Sequence, residues 1–244
     1  MYREHQAFTT PDDNVKVWRY LDLAKFVSIL DRKSLFFVRS DRLQDPFEGT
    51  YPKVDLQKYS DKYGDYVQDI DKLIHLLEKT TNERKKYTLV SSWNISNYES
   101  AALWKVFLKS DEGVAIQSTF GKLKDSFASF EKDIYIGKVK YIDYEVEGIP
   151  KEAALSPLNP FVLKRKSFEY EQEIRLIYRD VSFEDKENVS GAYVDVDLSC
   201  LIDQIFVAPT APKWYKEVIE SLVTKYEVGD KEVIQSNLWQ GKIY

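Results

Sequence analysis

The 244-residue sequence holds one cysteine, one methionine and two histidines, and each scarcity closes off chemistry. A lone Cys200 leaves no intramolecular disulfide and fits a reducing compartment. Placed between the alternating run Tyr193 to Asp197 and a following apolar stretch, it reads as a buried structural thiol. With only His5 and His75 in the chain, a His/Cys metal centre has no ligand set, and Cys-His or Ser-His catalysis has almost no partners. No metal is expected, and His75, inside the run Leu73 to Leu77, reads as a helix surface residue. The nine glycines are scattered: neither GxGxxG nor GxxxxGK[ST] occurs, nor do HExxH, GxSxG or the protein-kinase set. Residues 1–14 lack the apolar core of a signal peptide, and no apolar run reaches the length of a membrane span, so the expectation is a cytoplasmic protein without a membrane partner.

What is present is a globular composition, 43% hydrophobic and 14% aromatic, with 17 Tyr and 13 Phe to build the packing and any ligand pocket. The 35 basic and 40 acidic residues give a formal charge of -5, which argues against a general nucleic-acid binder. Two basic triplets, Arg84-Lys85-Lys86 and Lys164-Arg165-Lys166, are possible local contacts to nucleic acid, but each reads first as a solvated helix face.

Along the chain, Val15 to Tyr20 alternates like a strand, with Arg19 an odd guest on the face of Val15 and Val17. Asp22 caps a helix with apolar positions Leu23, Phe26, Val27 and Leu30, and Leu35 to Arg39 returns as a strand. Asp45-Pro46-Phe47-Glu48-Gly49 reads as a turn. A helical insertion is expected at about 54–86, broken near Gly64, with Tyr59, Tyr63 and Tyr66 as core contacts. Then come a strand from Tyr87 ending on Ser91-Ser92-Trp93-Asn94, a helix from Glu99 to Lys109 capped by Ser96 or Asn97, and strands at Val114 to Gln117 and Ile134 to Tyr144. After a proline-bearing loop, Phe161 to Phe168 is expected as a helix that delivers the chain to an alternating strand starting at Glu171. Further strands are expected at Gly191 to Asp197, Leu201 to Val207 and Glu232 to Gln235, with an amphipathic helix Trp214 to Tyr226. Without repeats or linkers, residues 1–244 read as one α+β domain, a mixed but largely antiparallel central sheet with flanking helices.

Glu171 and Glu173 are two residues apart, which on a strand puts both carboxylates on one face about 7 Å apart. The plain reading is a solvated edge neutralised by Arg175. The sharper one joins Arg19 on the first strand, the Ser91-Ser92 pair and Glu171-x-Glu173 into a site for NAD as substrate. Arg19 would clamp phosphate or ribose, Ser91 or Ser92 would hold a ribose, and Trp93 or a tyrosine such as Tyr20 would stack on nicotinamide. Glu173 would face the positive charge that develops as nicotinamide leaves, and Glu171 would orient or deprotonate the acceptor.

Several blocks together carry a resemblance. They are Trp18-Arg19-Tyr20, Leu43 to Glu48, Ser91 to Asn94, Ala102 to Phe107 leading into Glu112 to Ile116, and Phe168 to Arg175. In this order they resemble the bacterial and phage family called domain of unknown function twenty-nine seventy-one, over about Val17 to Val207. The sequence departs from that pattern at Arg19, where a histidine is frequent, at Ser91-Ser92-Trp93 in place of Cys-Phe-Ser, and at Leu103 and Phe107 in place of Met and Tyr. A looser similarity, to ADP-ribosyltransferases of the Arg-Ser-Glu type, rests on Arg19, Ser91-Ser92 and Glu171-x-Glu173. It implies that Glu173 is the catalytic glutamate of an enzyme that transfers ADP-ribose or hydrolyses NAD, in toxin or phage-defence biology. Asp45, Glu48, Trp104 and Arg175 are further pocket candidates.

Two other readings stay open. A non-catalytic module would recognise a partner through Trp104 and Asp45 to Glu48 and leave the Glu-rich strand solvated. A nuclease would gather Asp45, Glu48, Glu171 and Glu173 around magnesium.

Overall fold

A computed structural model describes residues 1–63, 70–108, 112–149, 156–186 and 188–239. Within them the chain is α+β. In order come β1 Tyr2–Arg3, β2 Lys16–Asp22, α1 Leu23–Arg32, β3 Ser34–Arg39, α2 Lys53–Tyr63, α3 Ile70–Tyr87, β4 Thr88–Ile95, α4 Ala101–Phe107, β5 Gly113–Thr119 and α5 Phe120–Asp125. Then follow β6 Ile134–Lys138, β7 Lys140–Ile142, β8 Leu163–Arg165, β9 Glu173–Arg179, β10 Gly191–Asp195, α6 Leu198–Leu201, β11 Gln204–Val207, α7 Lys213–Lys225 and β12 Glu232–Gln235. Gly64 and Tyr66, and the side chains of Tyr59 and Tyr63, lie outside the described residues. No helix among the described residues is long and apolar enough to cross a membrane.

Ten strands form one mixed sheet in the order β1-β6-β9-β4-β2-β5-β11-β12, with β3 joining β4 to β10. Most pairs are antiparallel; β1 with β6 and β11 with β12 are parallel. One face carries Val17, Leu21, Trp93, Ile116, Ile174 and Leu176 and is covered by α1, α5, α6 and α7 to make the main core. The other carries Trp18, Tyr20 and Ala115 against Leu103 and Trp104 of α4, and Val90 and Ile177 against Leu158, Phe161 and Val162.

One irregularity shapes everything that follows. Along one edge β4 pairs with β9 from Thr88 to Asn94. On its other edge it is shared: β3 pairs with Leu89 and Val90, while β2 pairs with Asn94 and Ile95. Between them Ser91, Ser92 and Trp93 have no ladder partner on that edge among the described residues, so β2 and β3 splay apart around a gap. The connector α1 spans them, capped by the Asp22 side chain accepting from Lys25 N and closed by Lys33 in the left-handed conformation.

Some local expectations are overturned. Phe161 to Phe168 is not a helix: a 3-10 turn at Asn159–Val162 leads into β8, which pairs with β7, and a second 3-10 turn at Lys166–Glu171 follows. The reason is burial, since Pro160 to Lys164 are buried in succession, a pattern that one helical stripe cannot satisfy. The chain from Ile134 to Tyr144 divides into two strands of different sheets. Leu198–Leu201 is a short helix, α4 is capped by Ser100 rather than Ser96 or Asn97, and β9 begins at Glu173 rather than Glu171. Cys200 is half-buried, and burial pushes its thiol up.

Candidate functional site

The turn Asp45 to Gly49 is built by its own residues. The Asp45 side chain accepts from Phe47 N at 3.1 Å, and Asp45 O accepts from Glu48 N at 3.1 Å. Gly49 has φ 71°, and a Cβ there would lie 2.9 Å from the Phe161 ring, so glycine is required twice over. The turn presents Asp45 and Glu48 to the face of the sheet that carries Glu173 and Arg175.

There a buried ionic network forms. Arg175 Nε donates to Glu173 Oε1 at 2.7 Å, its Nη2 to Glu173 Oε2 at 3.0 Å and to Glu48 Oε2, and its Nη1 to Phe161 O at 2.9 Å. Lys164 Nζ lies 2.6 Å from Glu171 Oε2, 3.2 Å from Glu173 Oε2 and 3.9 Å from Glu48 Oε1. Arg165 Nε donates to Asp45 Oδ2 at 3.0 Å, with its guanidinium 4.7 Å from the Phe47 ring centre. Asn94 Nδ2 donates to Glu171 O at 2.8 Å, and Tyr141 Oη accepts from Glu173 N at 2.7 Å. Glu171 belongs to the 3-10 turn, and Gln172 in the left-handed conformation (φ 44°) separates it from Glu173; this kink, not strand alternation, turns both carboxylates toward Lys164.

The two glutamates differ in charge environment. Burial pushes Glu173 up, but Arg175, Lys164 and a hydrogen bond from Ser92 outweigh it and hold the carboxyl at about 2. Burial pushes Glu171 up as well, and its Lys164 partner does not cancel the effect. Within ion-pairing distance three carboxylates (Glu48, Glu171, Glu173) meet two cations (Lys164, Arg175), an excess of one negative charge. The carboxylates a magnesium site would use are each already held by a cation.

Ser92 stands opposite Arg175 on this face and is exposed, although it sits in the middle of an interior strand. The surface above it is therefore open. On its β2 side lies an aromatic group in which Tyr20 meets Trp104 edge-on at 5.0 Å and stacks with Phe107 at 6.5 Å. The hydroxyl of Tyr20 accepts from Ser100 N at 2.7 Å, and Trp104 Nε1 donates to Glu99 Oε2 at 3.0 Å.

Arg19, Ser91 and Trp93 occupy the opposite face, by the alternation of β2 and β4. Arg19 Nη1 donates to Ser91 Oγ across the gap, and its guanidinium lies 5.8 Å from the Trp93 ring centre. No carboxylate pairs with Arg19 among the described residues, and burial pulls its guanidinium down to about 10. Trp93 Nε1 is buried without a hydrogen-bond partner there. A cavity of about 590 Å³ opens beside Arg19, bounded by Ser28 and Ile29 of α1, Phe36 of β3, and Ser190, Gly191 and Tyr193. That volume is within the range of small-molecule sites.

The structure thus brings Asp45, Glu48, Glu171, Glu173, Arg175 and Ser92 together on one face with Tyr20 and Trp104 alongside, and sets Arg19, Ser91 and Trp93 on the other face of the same gap. Sequence reasoning missed Lys164, Asn94 and Tyr141. Lys164 and Lys85, read as members of solvated triplets, are both buried; nothing within either triplet marks its buried member.

The fold and site define a splayed mixed sheet with a cavity beside Arg19 at the gap, walled by residues of both sheet faces, and a buried ionic network on the face that carries Glu173. No protein-family model matches the chain, so the resemblance to domain of unknown function twenty-nine seventy-one has no support from that comparison. No curated protein matches it. Among solved structures, Thermus sp. 2.9 DarT in complex with NAD+ aligns with a TM-score of 0.43 and 10% identity over 95% of this chain and 99% of that one. The same protein in complex with ADP-ribosylated ssDNA gives 0.43 and 8% over 95% and 99%. Its complex with carba-NAD+ gives 0.41 and 8% over 94% and 99%.

Proposed function

We propose that the chain is an NAD-consuming enzyme of the ADP-ribosyltransferase type, which breaks the bond between nicotinamide and ribose and passes ADP-ribose to an acceptor or to water. The observation that carries this reading is the gap at Ser91 to Trp93, with a guanidinium that has no anionic partner among the described residues at one side and a carboxylate excess at the other. NAD fits those needs. Its pyrophosphate would supply an anion to Arg19, which pairs with no carboxylate among the described residues and lines the cavity. A dinucleotide lying through the gap would then reach Ser92 and Glu173 with its nicotinamide ribose.

In this reading nicotinamide departs with the electrons of the glycosidic bond, and the ribose carbon becomes positively charged. Glu173 is fixed as an anion by Arg175, so it faces that charge without having to lose a proton first. Glu171, the more proton-hungry of the pair, takes the proton of the attacking acceptor.

The test is nicotinamide release from NAD by purified protein, beside Glu173→Gln and Glu171→Gln, each checked for native circular dichroism. Release by the unaltered chain and loss of at least a hundredfold in folded Glu173→Gln support the reading. No release, and no heat of NAD binding in calorimetry, would sink it and leave a non-catalytic binding module as the better account.

A further inference from the structure

Lys164 is buried beneath the ring of Phe168, its Nζ 4.9 Å from the ring centre, and among the described residues it is the one cation that touches both Glu171 and Glu173. We infer that Lys164 is a positioning residue: it clamps the two carboxylates at the base of the gap, keeping Glu171 turned toward the acceptor side and ionised when an acceptor arrives. This rests on the NAD-cleaving reading for its catalytic consequence, but not for the clamp itself.

The division of partners argues for the role. Both oxygens of Glu173 are already held by Arg175, and Glu48 is held by Arg175 as well, so neither needs Lys164 to stay in place. Among the described residues Glu171 has no other cation within ion-pairing distance, and Asn94 holds only its backbone carbonyl. A lysine placed merely to neutralise the network would sit nearest the deepest carboxylates. Instead it makes its shortest contact with the more accessible one.

The groups that face the clamp are Glu48 from the turn after β3, Glu171 from the 3-10 turn, Glu173 and Arg175 from β9, and Tyr141 from β7. Lys85 of α3 acts on Glu48 through its charge. Removing the Lys164 charge leaves Glu171 beside Glu173 with Arg175 as the remaining cation acting on it, which pushes the Glu171 carboxyl further up.

The experiment compares Lys164→Met and Lys164→Arg with the unaltered chain, by nicotinamide release across pH 4.5 to 9 and by carbon-detected NMR titration of glutamate carboxyls, with Glu171→Gln used to assign its signal. The expected result for Lys164→Met is an acid limb moved up by at least about one pH unit, kcat lowered at least tenfold and KM for NAD changed less than threefold. The Glu171 signal should move by the same amount. Lys164→Arg, which keeps the charge but cannot hold the same three contacts, should keep the acid limb within about half a pH unit while kcat still falls. If Lys164→Met does not fold, Lys164→Gln, which also removes the charge, takes its place with the same expected displacements. A lowered melting temperature with neither acid limb nor Glu171 titration displaced would overturn the inference. If no variant and no unaltered chain releases nicotinamide, the function proposed above fails, while the Glu171 titration still decides whether Lys164 governs that carboxyl.

Discussion

Glu48 and Arg175 are ion-paired inside the protein across 127 positions of sequence, one from a five-residue turn and the other from the middle of β9. The pair is buried on both sides and shares Arg175 with Glu173. It ties the turn after β3 to the far side of the gap.

Replacing Glu48 by alanine should therefore cost about 3 kcal/mol, because Arg175 keeps Glu173 but loses a buried counter-charge. Urea unfolding measures it. A loss below about 1 kcal/mol, the range of an exposed pair, would mean that water reaches the guanidinium.

The acid limb of stability should have two parts of opposite sign. Glu171 has a folded pKa raised above its unfolded one, so the native state takes up that proton first and stability rises as pH falls through the folded pKa. Glu173 is depressed to about 2, so its contribution is complete above the unfolded glutamate range and is lost as pH falls toward that value. The second part is larger, about 3 kcal/mol. Unfolding free energies from pH 7 to pH 3 should show a shallow rise and then a steep fall, and Glu171→Gln should abolish the rise alone. A curve for the unaltered chain that only falls would contradict the environment assigned to Glu171.

Gln172 is held at φ 44° between the two glutamates, and a side chain there is strained. Gln172→Gly should stabilise the chain or leave it within about 0.5 kcal/mol, and Gln172→Val should cost at least about 1 kcal/mol. The same Val variant should weaken nicotinamide release more than its loss of stability explains, since it disturbs the kink that turns both carboxylates to Lys164. Thermal melts and steady-state rates on the same preparations provide the comparison.

Arg19 has no anionic partner among the described residues. Arg19→Met should therefore raise the melting temperature or leave it unchanged, the reverse of what removing a paired buried charge does. Calorimetry should show NAD affinity reduced at least tenfold. A destabilised Arg19→Met protein would mean that the guanidinium is structural.

Much of the framework was legible in the sequence because the signals were local. Asp22 as a cap, the alternation of β2, the turn at Asp45 to Gly49 and the strand Glu232–Gln235 are each set by residues within a few positions of one another. Arg19 also announced itself, as a charge on an apolar face. The gap did not, because it depends on two strands competing for opposite ends of one edge of β4. Nor did the assignment of Arg19 and Glu173 to opposite faces, which requires the register between β2, β4 and β9. Lys164 was hidden for a different reason: a basic triplet is ordinarily solvated, and only the three-dimensional neighbourhood of Glu171 and Glu173 reveals one member as buried.

The helix α1 leaves β2 on one side of the gap and delivers β3 on the other, ten residues from Leu23 to Arg32, or about 15 Å of rise. Its two ends are pinned, by the Asp22 cap and by the left-handed Lys33, and β2 and β3, each antiparallel to β4, run parallel to one another. A helix that joins parallel strands runs back along them, so a turn added to α1 would be taken up along the strand direction, shifting the register of β3 against Leu89 and Val90 while the width of the gap stayed as it is.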